Sequence, residues 1–143
     1  MTYKYCSYSP EETRKIACNI IEDRRLPLFI ALNGDLGAGK TEFVRGIGEK
    51  LGIKKIQSPT FTIIREYQSS PKLYHFDVYR MDNASELEDI GFYEYLNESD
   101  SIIVMEWADK VKEILPENRL NVDIYGSGND LRTIVCTEIA GNK

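Results

Sequence analysis

The amino-acid sequence predicts one domain of the α/β class over residues 1–143, in three layers, with a mostly parallel central sheet and a C-terminal β-hairpin. Two observations indicate this fold. Short, nearly continuous apolar runs, typical of strands buried on both faces, alternate with segments of helical periodicity. The last part of the chain instead alternates polar and apolar residues around the turn sequence SGND, which is typical of a hairpin.

The first element is expected to be a helix that begins at Pro10. Ser9 precedes it as an N-cap residue, proline is favoured at the first helical position, and acidic residues fill the first turn. Three isoleucines then recur at helical spacing and give the helix an apolar face. The basic pair Arg24 and Arg25 suits the negative end of the helix dipole, so we expect the helix to end near these residues.

A buried strand over residues 26–33 and a helix over residues 40–52 are predicted next. The strand sequence, LPLFIALN, is almost entirely apolar, and the helix places apolar residues on one face. Gly46 and Gly48 each cost up to about 1 kcal/mol of helix propensity relative to alanine. A close approach of this helix to the sheet would explain why these residues are glycine.

The remaining segments add strands and one more helical element. They are a loop and strand at 53–67, a strand at 73–80, a short helix with a connector at 84–97, a buried strand at 101–107, and hairpin strands at 120–126 and 131–139. In open α/β sheets, ligands gather at the carboxyl ends of the parallel strands. Polar residues that follow these strands are therefore candidates for a functional site.

Composition and charge limit the classes of function. With 18 basic and 23 acidic residues the net charge is −5, so the chain lacks the positive charge expected of a protein that holds nucleic acid by itself. Three widely spaced cysteines, Cys6, Cys18 and Cys136, favour buried or half-buried free thiols over a disulfide framework or a metal motif. No apolar run is long enough to span a membrane. We therefore expect a cytoplasmic protein without membrane contact, with any RNA held by a partner.

The sequence GDLGAGKT, residues 34–41, satisfies the phosphate-loop motif GxxxxGK[ST], with an apolar strand before it and a helix after it. Glycines let such a loop curl so that main-chain N–H groups bind phosphate oxygens at the positive end of the helix. Lys40 is expected to reach the β- and γ-phosphates, and the Thr41 hydroxyl to bind Mg²⁺. The fold is therefore expected to be that of a P-loop NTPase. The guanine-binding pattern NKxD is absent, so ATP is the expected nucleotide.

Phosphoryl transfer also needs an acid for the Mg²⁺ shell and a group that positions the attacking oxygen. Asp77 follows the apolar run LYHF and Glu106 follows IIVM, so both are expected at strand ends that face the phosphate loop. Either could be the Walker B acid, and the residue pattern does not rank them. His75, the only histidine, is expected in a supporting role, and Trp107 is expected in the core.

Four segments in this order resemble the TsaE (YjeE) family of bacterial P-loop ATPases: GDLGAGKT, SPTF at residues 58–61, HFDVYR at residues 75–80 and MEW at residues 105–107. The resemblance covers nearly the whole chain. It implies a small ATPase needed for threonylcarbamoyladenosine modification of tRNA, which binds a complex of the TsaB and TsaD proteins and supports repeated turnover by TsaD. Contact with tRNA would be indirect, through that complex.

The resemblance also implies roles for individual residues. Thr41 and Glu106 would bind Mg²⁺, and Asp77 would face the γ-phosphate or its attacking water. Thr60 would lie in a loop that responds to the nucleotide. The residues implied to contact the nucleotide are Ser9, Pro10, Gly37, Ala38, Gly39, Lys40, Thr41, Glu42, Asp77 and Arg132, and the catalytic set would be Lys40, Asp77 and Glu106.

One departure from the family pattern concerns charge. The family often has a second threonine after Thr41, where this chain has Glu42. This difference implies a negative charge beside the phosphates and, as a consequence, somewhat weaker phosphate binding.

Two other functions are compatible with a phosphate loop. A small-molecule kinase would need an acceptor pocket and an arginine-bearing lid, for which the chain has little room. A module that binds ATP without hydrolysing it would not need the acids Asp77 and Glu106. We therefore expect an ATPase, with slow intrinsic turnover because no arginine finger is obvious. The resemblance implies that it acts as a nucleotide switch on the TsaB and TsaD complex.

Overall fold

The computed structural model of the chain describes residues 1–22, 24–35, 37–57, 59, 63–129 and 131–141. Within them, seven strands form one sheet in the order β1-β7-β6-β2-β5-β4-β3. The strands are β1 (Thr2–Ser7), β2 (Leu28–Gly34), β3 (Ile64–Tyr67), β4 (Lys72–Asp77), β5 (Ser101–Glu106), β6 (Arg119–Tyr125) and β7 (Arg132–Ile139).

The centre of the sheet is parallel and its edges are antiparallel. β2 pairs in parallel with β5 and with β6, and β4 pairs in parallel with β5, so four adjacent strands run in one direction. β6 and β7 form the hairpin expected at the C-terminal end, while β1 and β3 pair antiparallel at the two edges. The predicted α/β class, with a parallel centre and a terminal hairpin, is confirmed.

Helices cover both faces of the sheet. They are α1 (Pro10–Ile21), α2 (Lys40–Lys50), α3 (Ser85–Asp89), α4 (Phe92–Leu96) and a 3₁₀ segment (Ala108–Ile114). α1 and α2 belong to one apolar core and the other three elements to a second core. Among the described residues, no helix is both long and apolar enough to cross a membrane.

β2 separates the two cores, as expected of a strand buried on both faces. Ile30 and Leu32 belong to the core shared with α1 and α2, whereas Phe29 and Ala31 belong to the other core. Because side chains alternate along a strand, one apolar run supplies both faces of the sheet. The strand then carries the chain directly to Gly34, where the phosphate loop begins.

α1 begins as predicted, with Pro10 as its first residue. Glu22 has an extended backbone, with ψ of 137°, so the helix ends at Ile21. Arg24 lies beyond this end, and its Nε donates a hydrogen bond to the carbonyl oxygen of Ile20 at 2.9 Å. The helix therefore ends close to the basic pair, as predicted, and Arg24 satisfies one of its last carbonyl oxygens from outside the helix.

The sequence prediction omits β1, which is an edge strand. Its residues alternate between exposed and half-buried, and Cys6 is exposed. Cys18 is half-buried and Cys136 is buried. The expectation of sheltered thiols is thus wrong for Cys6, because an edge strand turns one set of side chains to solvent.

Two predicted elements differ in extent. The short helix and connector expected over residues 84–97 are two short helices, separated at Gly91, which has a left-handed φ of 80°. β4 ends at Asp77 rather than at residue 80. This earlier end places the Asp77 carboxylate at the edge of the sheet where the parallel strands finish.

Gly46 lies where α2 packs closely against α1. A Cβ atom at this position would be 2.3 Å from the carbonyl oxygen of Arg14, and a Cβ at Gly48 would be 2.7 Å from the side chain of Ile56. The expectation that these glycines let α2 approach the sheet is therefore wrong. Their close neighbours are α1 and the segment that follows α2.

We expect Gly46→Ala to lower the free energy of unfolding by about 2 kcal/mol, because the overlap with main-chain atoms outweighs the gain in helix propensity. Gly48→Ala is the matched control, since the same gain meets one side chain, that of Ile56, instead of main-chain atoms. Its effect should stay within about 1 kcal/mol. Urea unfolding of the three proteins measures both values, and equal stabilities would contradict the tight contact.

Candidate functional site

The phosphate loop joins β2 to α2 at the carboxyl edge of the parallel strands. Gly37 and Gly39 have φ of 82° and 110°, a left-handed backbone that favours glycine. A Cβ at Gly34 would be 2.8 Å from the carbonyl oxygen of Ile124 in the neighbouring strand β6. Backbone conformation at two positions, and lack of space at the third, therefore account for these glycines.

Main-chain donors are available where α2 starts. The N–H of Phe43 bonds to the carbonyl of Gly39 at 3.0 Å. The N–H groups of Lys40, Thr41 and Glu42 precede this donor, so the helix itself does not use them. They carry the partial positive charge of a helix N-terminus, which favours an anion.

Ala38 is held differently from the residues that start α2. It is fully buried, and its N–H donates to the carbonyl of Asp35 at 3.0 Å. The N–H of Ala38 is therefore already used by a hydrogen bond within the loop. The N–H groups of residues 40–42, in contrast, are available to bind an anion.

Lys40 is the most unusual charge in the site, because only 6% of its surface is exposed. Its Nζ donates a hydrogen bond to the carbonyl of Gly34 and lies 3.4 Å from the centre of the Trp107 ring. Burial lowers the pKa of Lys40, while the carboxylates of Glu106 and Asp77 act in the opposite direction. A buried ammonium group is costly without such partners.

β4 and β5 end side by side, and both last residues are acids. Asp77 and Glu106 are register partners in this parallel pair. Glu106 is buried, and its Oε2 lies 2.5 Å from Nε2 of His75, which is fully buried. The imidazole therefore fixes the orientation of the Glu106 carboxylate, in the manner of a supporting residue.

Asp77 is half-buried, and its Oδ1 accepts a hydrogen bond from the N–H of Tyr79 at 2.9 Å. Burial raises the pKa of Asp77 above its usual value, and the Tyr79 hydrogen bond opposes this change. A raised pKa makes a carboxylate a stronger proton acceptor, as a general base requires. Asp77 also lines a cavity of about 280 Å³ together with Trp107 and Arg80.

The start of α2 offers oxygen ligands suited to Mg²⁺. Thr41 follows Lys40 directly in the chain. Of the carboxylates that raise the pKa of Lys40, that of Glu106 has the largest effect, so Glu106 also lies near the start of α2. A hydroxyl and carboxylates are the hard ligands that Mg²⁺ prefers. Among the described residues, no three acid, histidine or cysteine side chains form a complete metal site. A Mg²⁺ ion here would therefore take further ligands from water and phosphate, as this ion usually does.

A second cavity, of about 390 Å³, adjoins the loop. Its lining includes six residues that the family resemblance implies at the nucleotide: Ser9, Pro10, Gly37, Gly39, Glu42 and Arg132. Ser7 and Thr13 also line the wall, and their hydroxyl oxygens are 2.7 Å apart. The sequence analysis missed these two, although Thr13 lies one turn after Ser9 on α1 and so shares its face.

Arg132, the first residue of β7, binds the main chain of the loop. Its Nε donates to the carbonyl of Ala38 at 2.9 Å, and its Nη2 donates to the carbonyls of Gly37 and Gly128 at 3.1 Å each. The resemblance implied that Arg132 contacts the nucleotide. These bonds make it a link between the phosphate loop and the turn of the β6–β7 hairpin, and its contact with a nucleotide stays a prediction.

Glu42 does not carry an isolated charge. Its Oε2 is 2.5 Å from Nη1 of Arg14, and its Oε1 is 2.5 Å from Nη1 of Arg45. The expectation of weaker phosphate binding rested on an uncompensated carboxylate. Two guanidinium groups offset that charge here.

Trp107 lies against the core, as the residue pattern predicts, and also at the site. It packs against the second core, yet its ring also contacts the Lys40 ammonium group and lies 4.8 Å from the ring of Tyr79. Trp107 has a left-handed φ of 62°, an uncommon conformation for a residue with a bulky side chain. Such strain directly after the strand that ends in Glu106 is typical of functional sites.

One expected part of the site lies outside the described residues. This part comprises Ser58, Thr60 and Phe61 of the SPTF segment. Thr60 is the threonine that the resemblance placed in a nucleotide-responsive loop. Pro59 is described and is buried.

Known proteins are similar to this chain in sequence and in fold. The model of a family described as "Threonylcarbamoyl adenosine biosynthesis protein TsaE" matches residues 7–134. A protein of Bacillus subtilis (strain 168), named tRNA threonylcarbamoyladenosine biosynthesis protein TsaE, is 44% identical over 142 residues, which cover 98% of this chain and 87% of the relative. A Haemophilus influenzae protein of the same name is 40% identical over 119 residues, covering 80% and 75%. The crystal structure of YdiB from Bacillus subtilis superposes with a TM-score of 0.82 at 39% identity, covering 98% of this chain and 87% of that one.

We expect Arg132→Ala to speed amide hydrogen exchange at the hydrogen-bonded N–H groups of Ala38 and Phe43 by about tenfold or more, since each bond from a charged donor contributes about 1.5–3 kcal/mol. Arg119→Ala is the control, because Arg119 donates to a carbonyl of the same hairpin region, that of Pro116, at 2.9 Å. Deuterium uptake followed by mass spectrometry measures the effect. Equal uptake in both variants would contradict the role of Arg132 in holding the loop.

Proposed function

The chain belongs to the TsaE family of tRNA threonylcarbamoyladenosine biosynthesis proteins, and we propose that it is the ATP-binding and ATP-hydrolysing component of that modification system. In this proposal it is a single domain that works in the cytoplasm as a nucleotide switch on the complex of TsaB and TsaD. It reaches tRNA only through that complex, since a net charge of −5 is unsuited to holding RNA directly.

The observation that carries this proposal is the burial of Lys40 beside two strand-end acids. A structural glycine turn needs no ammonium group there, and burying one is unfavourable unless partners compensate its charge. Lys40, the helix-start N–H groups and the register pair of Asp77 and Glu106 supply the parts that phosphoryl transfer requires. The coincidence of these parts at one sheet edge supports an ATPase.

Each residue takes a role that its surroundings suit. Lys40 and the N–H groups of residues 37–42 bind the phosphates, the Ala38 N–H after giving up its bond to Asp35. The Thr41 hydroxyl and the Glu106 carboxylate hold Mg²⁺, which when bound neutralises charge on the phosphate oxygens. Asp77, with its raised pKa, orients the attacking water and accepts its proton. Glu106 is assigned to the metal because His75 fixes its orientation.

We expect Asp77→Asn and Glu106→Gln to lower ATP hydrolysis by about a hundredfold, the contribution of a positioned general base or metal ligand. Nucleotide affinity should fall much less. Asp89→Asn, at the exposed end of α3, is the charge-matched control. ADP formation is measured with no acceptor present.

Two outcomes of that assay would overturn the assignment. Unchanged turnover in both variants would favour a module that binds ATP without hydrolysing it. If the wild-type protein forms almost no ADP until a small-molecule acceptor is added, the result would favour a small-molecule kinase.

Reconstituted tRNA modification tests the proposed place in the pathway. With TsaB, TsaD and the substrates of the modification reaction present, we expect repeated rounds of tRNA modification with the wild-type protein. With Lys40→Ala we expect little beyond a single round. The same complex should raise the rate of ATP hydrolysis, because a partner that supplies positive charge to the transition state is worth about 10³- to 10⁵-fold.

The control for this experiment is thermal melting of Lys40→Ala, which must show that the variant is folded. Modification that proceeds equally without the protein would contradict the proposal. Hydrolysis that is unaffected by TsaB and TsaD would contradict the switch.

A further inference from the structure

The carboxylate of Glu42 lies between two arginine side chains at the start of α2. Arg14 of α1 reaches one oxygen, and Arg45 of α2 reaches the other, each at 2.5 Å. Glu42 is only 22% exposed, so solvent screens its charge less than that of a surface acid. The neutralisation of this carboxylate therefore depends on the two arginines.

Glu42 lies where its charge would matter to a bound nucleotide. It lines the 390 Å³ cavity together with Gly37 and Gly39 of the phosphate loop. Its own N–H is among the helix-start donors, two residues after Lys40. An unpaired carboxylate here would repel a polyphosphate that binds to the same helix start.

Arg14 is much the more firmly held of the two arginines. Its side chain is 24% exposed, whereas that of Arg45 is 48% exposed. Its Nε also lies 3.1 Å from a carboxylate oxygen of Glu49, and its main chain is packed against Gly46. The guanidinium therefore stays in place without the nucleotide, and it ties α1 to the helix that begins the phosphate site.

We propose that Arg14 is a positioning residue of the nucleotide site, which neutralises and holds the Glu42 carboxylate so that the phosphates of a nucleoside triphosphate can bind beside it. This inference rests on the proposed ATP binding. It makes α1, which carries no part of the phosphate-loop motif, a determinant of nucleotide affinity.

A double-mutant cycle tests the proposal with ATP and Mg²⁺ as the probe. We expect Arg14→Ala to raise the dissociation constant for ATP roughly three- to tenfold, because the Glu42 charge is then only half compensated. Glu42→Gln alone should lower the constant, since it removes a negative charge beside the phosphates while Arg14 and Arg45 remain. Arg14→Ala combined with Glu42→Gln should bind about as tightly as the wild type.

Stability separates this role from a purely structural one. Both substitutions remove the same ion pair, so a role in holding α1 against α2 predicts no rescue in the double variant. Thermal melting should therefore show the double variant no more stable than Arg14→Ala, although its affinity recovers. Raising the salt concentration should shrink the affinity defect of Arg14→Ala, because screening weakens the repulsion.

Arg24→Ala is the matched control. Arg24 pairs with Glu138 at 2.7 Å and is 22% exposed, so the change removes an equally sheltered arginine of the same charge. Arg24 lines a different cavity, away from the phosphate loop. Its loss should leave ATP affinity unchanged.

The outcomes distinguish this inference from the proposed function. If the wild type does not bind ATP, the proposed function fails. If the wild type binds ATP and Arg14→Ala binds it equally well, or if Glu42→Gln fails to restore affinity, the inference about Arg14 is overturned.

Discussion

The buried ammonium group of Lys40 is the constraint on which the rest of the site depends. With 6% of its surface exposed, the group has little water around it and needs partners from the protein. The Gly34 carbonyl and the Trp107 ring supply direct contacts, and Glu106 and Asp77 supply opposite charge. These partners come from three strand ends and the residue after one of them. Only a sheet with parallel neighbours β2, β5 and β4 brings them to the same edge.

Two arginines hold the main chain and the charges around this lysine from different directions. Arg132 bonds to loop carbonyls from the C-terminal hairpin, and Arg14 bonds to Glu42 from α1. Neither residue belongs to the motif that identifies the loop. The proposed phosphate site therefore depends on α1 and on the C-terminal hairpin, and a change in the packing of either would alter it.

Local signals in the sequence were sufficient where structure depends on near neighbours. Ser9 and Pro10 fixed the start of α1, and the apolar run before Gly34 led correctly to a strand buried on both faces. The sequence failed where a feature depends on distant partners. β1 forms because it pairs with β7, more than a hundred residues later, and the ion pair of Arg14 with Glu42 joins residues 28 apart. Likewise, no pattern could rank Asp77 against Glu106, because the buried contact of Glu106 with His75 appears only when β4 and β5 lie side by side.

The most direct test of the central claim is a crystal structure of the protein with ATP and Mg²⁺. We expect the triphosphate against the N–H groups of residues 37–42, the metal bound by Thr41 and Glu106, and Lys40 Nζ moved from the Gly34 carbonyl to a phosphate oxygen. A triphosphate bound elsewhere, with Lys40 still on Gly34 and Trp107, would contradict the claim.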